Sequence, residues 1–80
     1  MQSGAILVRR AVATRDIHGA DHPHEREQWT YTISGRAQIF ENGRTITLSP
    51  GHLLRTAAGT IHRGDHDAGY EGIEIEIVDA

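Results

Sequence analysis

The sequence predicts an all-β protein, a small sandwich or barrel, and three observations carry that expectation. Its apolar residues fall in short runs rich in Val, Ile, Leu, Thr and aromatic side chains, as pleated strands prefer. Turn dipeptides separate those runs at regular intervals. No stretch repeats its apolar positions with the 3.6-residue period of a helix.

Taken in order, Ala5 to Ala13 opens the chain with an aliphatic run. His18 to Arg26 is polar and contains Pro23, so it reads as a loop or an irregular edge strand. Trp29 to Ile33 is a strand and Ser34-Gly35 a turn, after which Arg36 to Glu41 runs on as the next strand. Asn42-Gly43 is a strong hairpin signal, because both central residues of a type I′ turn need positive φ. Arg44 to Leu48 pairs back, Pro50-Gly51 turns, and His52 to Thr56 follows. Gly59 punctuates before Ile61 to His66, and Asp67-Ala68-Gly69 turns into the last strand, Tyr70 to Val78. The first residues and the last two are expected to fray.

Composition bounds the chemistry. The 80 residues make one domain, 1–80, with no linker or internal repeat. A chain of this size buries only about 60% of its unfolded surface, and such chains lean on a disulfide, a metal or a partner subunit. There is no cysteine, which excludes disulfides and thiolate ligands. All eight basic residues are arginine, which excludes lysine Schiff-base chemistry. The net charge of −3 arises from interspersed charges of both signs, so nucleic acid is not the expected partner. No apolar stretch is long enough for a membrane span or a signal-peptide core, and the expected location is the cytoplasm. The expected partner is a small-molecule ligand or substrate.

Six histidines are the unusual feature of the composition. On an extended chain, residues two apart point to one face, so His22 and His24 can reach one ion from one strand. Gln28, four residues on, has the same parity, and His62 is the best candidate to close the site from a different strand. Glu27 is a rival for the place of Gln28, since it brings a negative charge, but it needs a bulge to reach the same face. His18, His52 and His66 are read as surface or rim residues.

These residues resemble the two motifs of the cupin superfamily. In the first, His22, His24 and Gly35 stand in register, with Gln28 in the place of the usual glutamate; in the second, Gly51, Gly59 and His62 do, with Ala57 in the place of a proline and His66 in that of an asparagine. Fifteen residues separate Gly35 from Gly51, the short spacing of small microbial cupins. The resemblance implies a jelly-roll barrel and one divalent ion, Zn, Fe, Mn, Ni or Cu, held by His22, His24, Gln28 and His62. It is partly similar to cupins that process uronates in pectin degradation, some of which carry glutamine at this place. The implied activity is metal-dependent isomerisation, cyclisation, ring opening or lyase chemistry on a small carbonyl or carboxylate compound, such as a sugar acid or a polyketide-like substrate. The alternatives are a metal-dependent dioxygenase and a non-catalytic binding module.

Three imidazoles and an amide leave the charge of the ion uncompensated, which favours a strong Lewis acid and an anionic ligand. Acid should release the ion near the ordinary histidine pKa of about 6.5 or somewhat lower. With Gln28 inward, Thr30, Thr32 and Ser34 line the mouth, while Trp29, Tyr31 and Ile33 point outward. Those three are expected at a homodimer interface, unless they pack on the N-terminal strand. In the last strand the plain reading buries Ile73, Ile75 and Ile77 and solvates Glu74 and Glu76. The alternative turns the glutamates into the cavity and makes Glu76 a candidate general acid or base. Arg36, Arg55 and Arg63 are the cations available to an anionic group.

Overall fold

The computed structural model describes residues 5–79, so Met1–Gly4 and Ala80, where the termini are expected to fray, lie outside the described residues. All of the described secondary structure is β: β1 (Ala5–Val12), β2 (Ile17–His18), β3 (His22–Pro23), β4 (Gln28–Ser34), β5 (Ala37–Glu41), β6 (Arg44–Leu48), β7 (Leu53–Thr56), β8 (Ile61–His66) and β9 (Glu71–Asp79). They form two antiparallel sheets, one ordered β1-β9-β4-β7 and the other β2-β8-β5-β6, with β3 also paired to β8. The sheets face each other across a cavity lined from both sides. This is the all-β jelly roll expected from the sequence.

Turn chemistry places the hairpins. Asn42 and Gly43 both take positive φ, 52° and 71°, as a type I′ turn demands, and this fixes the β5–β6 register from Glu41↔Arg44 to Ala37↔Leu48. Pro23 is tolerated because β3 is only two residues long and lies at an edge.

The core is small. Ala13, Ala37, Ile39, Leu48 and Tyr70 are buried and pack together. The Tyr70 hydroxyl meets Thr32 Oγ1 at 3.4 Å, so this buried pair satisfies itself.

Parity within β4 is as the sequence predicts: Gln28, Thr30 and Thr32 are buried, Tyr31 and Ile33 exposed. The β9 partners of Gln28 and Thr30 are Glu76 and Glu74. Directly opposed residues share a face, so both glutamates lie on the inner face and Ile73, Ile75 and Ile77 on the outer one. The plain reading of the last strand is therefore overturned. The strand's alternation separates two faces, but its partner decides which one turns inward. β1 lies in the same sheet, its Val8 opposite Ile75 and Arg10 opposite Ile73. It extends the outer apolar face rather than covering Trp29, Tyr31 and Ile33.

Candidate metal centre

β8 is the central element of the site. It pairs on one side with β3, setting His22 opposite His62, and on the other with β5, setting Glu41 opposite His62. Backbone bonds from His24 N to Thr60 O (2.9 Å) and from Gly59 N to His24 O (2.6 Å) hold His24 against the start of β8. Three imidazoles thereby converge. Their ring centroids lie 4.1 Å (His24–His62), 4.9 Å (His22–His62) and 5.2 Å (His22–His24) apart. One nitrogen from each lies within 4.8 Å of the others. Burial grades across the set: His62 is buried, His24 half-buried and His22 exposed, so the cluster sits at the mouth of the cavity.

The nitrogens are disposed as ligands need to be. His22 donates Nδ1–H to the Ala20 carbonyl at 3.1 Å, which leaves Nε2 as its lone-pair donor. His24 Nε2 and His62 Nε2 approach to 2.5 Å, near enough to share one ion. Gln28 lines the same cavity and donates its amide Nε2–H to Thr30 Oγ1 at 3.2 Å. Its carbonyl oxygen is then the atom it has to offer a cation. The donor set fits a divalent transition metal: three imidazole nitrogens and a neutral oxygen suit Zn, Cu, Fe or Ni.

Glu27 is elsewhere. Its carboxylate accepts from Trp29 Nε1 at 2.7 Å and from Arg55 at 3.1 and 3.3 Å. These bonds to the charged form, that of Arg55 first, hold it below the usual glutamate range.

Burial, reinforced by the nearby His24 and His22, lowers the His62 pKa to about 4. Burial and then His22 also lower that of His24, against the opposing pull of Glu74, Glu76 and Glu41. Two of the three rings are thus held neutral, the form that coordinates.

The sequence reading missed Glu41 and Arg9 and offered Glu74 and Glu76 only as an alternative. Glu41 is buried, and its Oε1 has no partner among the described residues; neither has His62 Nδ1, its cross-strand neighbour. Glu74 lines the cavity, and Arg9 joins it at 3.4 Å. Glu76 is engaged at both oxygens, by Arg9 and by Arg26, each at 3.3 Å.

Other expectations change as well. Thr30 lines the cavity, but Thr32 is turned to Tyr70 and Ser34 donates to Gly69 O at 3.3 Å. Arg55 is tied to Glu27 on the outer face, and Arg63 lies over the Phe40 ring at 4.0 Å and reaches Asp65. Arg9 is the arginine that lines the cavity. His18 is exposed beside Asp65, and His52 Nδ1 accepts from Ser49 N. His66, expected at the surface or rim, is instead half-buried in the cavity wall with its ring edge-on to Tyr70 at 4.7 Å.

The sequence from residue 9 to 71 matches the family model of the cupin domain. The chain belongs to the cupin family. No curated protein matches this cupin by sequence. Among solved structures, KdgF from a Halomonas species superposes with a TM-score of 0.82 at 22% identity, over 100% of this chain and 76% of that protein. An RmlC-like cupin from Shewanella frigidimarina gives 0.81 at 17% identity, over 90% of this chain and 65% of that one. A cupin superfamily protein from Desulfitobacterium hafniense gives 0.74 at 18% identity, over 99% and 72%. This cupin thus spans about two thirds to three quarters of the length of these neighbours, and at such identities the likeness is one of fold. No helix among the described residues is long and apolar enough to cross a membrane.

Proposed function

We propose that this cupin holds one divalent metal ion through His22, His24, His62 and the carbonyl oxygen of Gln28, and acts on a small carbonyl or carboxylate compound. The observation that carries the reading is the convergence of three imidazole nitrogens within 4.8 Å at the mouth of a cavity of about 310 Å³. An ion there supplies Lewis-acid polarisation of a substrate oxygen. The chain's own residues divide the remaining work. Thr30 offers a hydroxyl to an oxygenated ligand. Glu74, on the cavity wall, is placed to take and return a proton. Glu76, with both oxygens engaged, holds Arg9 and Arg26 in position. Isomerisation, cyclisation, ring opening and lyase chemistry all draw on this set.

The test is elemental analysis of the purified chain at neutral and acid pH, together with turnover before and after chelation. About one ion per chain is expected, with turnover lost on its removal and restored by its return. Because His62 and His24 resist protonation in the fold, the ion should survive at about pH 5 and leave as the pH falls through about 4. Release already complete near pH 6 would contradict ligation by the buried pair. The same shift has a consequence for stability. A histidine kept neutral by the fold contributes stability that is present above its unfolded pKa of about 6.5 and lost progressively as the pH falls towards the folded value.

We further propose that a second copy of this chain covers the outer face of the β1-β9-β4-β7 sheet. Ile6, Val8, Tyr31, Ile33 and Leu53 are exposed there, beside Trp29, Ile73 and Ile75 on neighbouring strands. Four strands about 4.8 Å apart and about seven residues long cover roughly 450 Å² in projection, the size at which an apolar patch on a monomer is commonly functional. Its charges are already paired within the chain, Arg10 with Glu71 at 2.7 Å and Arg55 with Glu27 at 3.1 Å, so nothing on the face repels its own copy. Sizing should give about twice the 8.8 kDa chain mass, and Tyr31→Glu should halve it. A wild-type monomer at micromolar concentration would end this proposal.

A further inference from the structure

A second cavity of about 200 Å³ adjoins the first. Ile17, His66 and Glu74 line both, so the two spaces meet at these side chains. Beyond the junction the walls are Ala11 and Val12 at the end of β1, Ala13 just after it, and the ring of Tyr70. The only polar atom these four side chains bring, the Tyr70 hydroxyl, is turned to Thr32 Oγ1. At the junction itself, burial lowers the pKa of His66, against the opposing pull of Glu74 and Asp65, so at neutral pH the ring adds no charge there.

We infer that this annex is a subsite for the apolar portion of a ligand whose oxygenated end lies at the histidine cluster, so that the substrate class is a small carboxylate or carbonyl compound bearing a short hydrocarbon chain or ring. This rests on the reading of the first cavity as the ligand site. The occupant follows from the walls. A hydroxylated chain such as that of a sugar acid would set several hydroxyls against alanine, valine and an already bonded phenol, which offer no partner in exchange for the water they displace. A hydrocarbon chain loses nothing by entering and gains from leaving water. Two of the four wall residues are alanine, and they keep the space open.

The experiment titrates the full-length, isotope-labelled chain, first with zinc alone and then with acetate, hexanoate and gluconate, following backbone amide shifts. Hexanoate should bind at least about tenfold more tightly than acetate, since each buried methylene is worth roughly a fourfold gain, and gluconate no more tightly than acetate. The shifts specific to hexanoate should fall at Ala11, Ile17 and His66. Ala11→Leu fills the annex and should abolish the advantage of hexanoate without altering zinc uptake. Ile17→Asp, at an exposed position where folding is not at stake, should also abolish that advantage by setting a charge at the junction. Gluconate binding as tightly as hexanoate, or an advantage of hexanoate that survives both substitutions, overturns the annex. Failure to take up zinc overturns the metal reading instead. The metal-free chain then decides the annex by the same comparison: hexanoate shifts at those three residues support it and their absence overturns it.

Discussion

His62→Ala should lose its metal under conditions where the unsubstituted chain retains about one ion, with affinity falling at least a hundredfold, since even changes to the groups behind a ligand cost about 10–100-fold. His62 is the ligand candidate with the firmest support. It is 7% exposed, in a strand paired on both sides, and its Nε2 lies opposite that of His24. Without it, the remaining nitrogens belong to His22 and His24 on one short edge segment, and two neutral imidazoles compete poorly with water for an ion. His22→Ala should cost less, because His22 is exposed and its ring is fixed only by the Ala20 carbonyl. Elemental analysis and a zinc titration of both variants check the order, and circular dichroism checks that the fold persists. Undiminished metal in His62→Ala would place the ion elsewhere.

Gly35→Ala should destabilise the fold severely. Gly35 has φ +76° at the turn between β4 and β5, and a Cβ there would lie 2.6 Å from Tyr70 Cα, 2.7 Å from Tyr70 N and 2.8 Å from Gly69 O. All three are backbone atoms of the turn that leads into β9, so no side chain can move aside. Tyr70 is itself among the most buried residues, and displacing it opens the core. A domain of this size is stable by only about 4–12 kcal/mol, and a clash against fixed backbone at positive φ should remove roughly 3 kcal/mol or more. That corresponds to a fall of at least about 12 °C in Tm. Gly43→Ala is the control: its φ is +71°, but nothing lies within 4 Å of the added carbon, so it should lose only about 1–2 kcal/mol. Equal losses in the two variants would show that the turn conformation, not the contact with Tyr70, makes Gly35 necessary.

Strand positions were legible in the sequence because turn chemistry and period-2 alternation are local. Asn42-Gly43, Pro50-Gly51 and Asp67-Ala68-Gly69 delimit the strands close to where the structure puts them. The inward parity of Gln28 was equally legible, since it follows from His22 and His24 by counting. The orientation of β9 was not. Its isoleucines and glutamates alternate equally well either way, and the usual rule that isoleucine goes inside fails where the interior is a polar cavity. Glu74 entered only through the alternative orientation of that strand, and Glu41, His66 and Arg9 were invisible for a related reason. Each is set in place by a cross-strand pairing that no local count reveals: Glu41 beside His62, His66 beside Ala37, and Arg9 beside Glu74, which itself faces Thr30.

The edge strand β3 has a mechanical consequence. His22 and His24 lie on a segment joined to β8 by a short ladder, and His24 is 38 residues from His62. An ion gripping both ends would act as a covalent staple does, removing from the unfolded chain the freedom of a loop that long. By the loop-entropy relation for disulfides, that constraint is worth roughly 4 kcal/mol, a sizeable fraction of what so small a core supplies. In a chain without cysteine, the proposed metal site and the cross-link would then be one object, and metal starvation would loosen the protein itself.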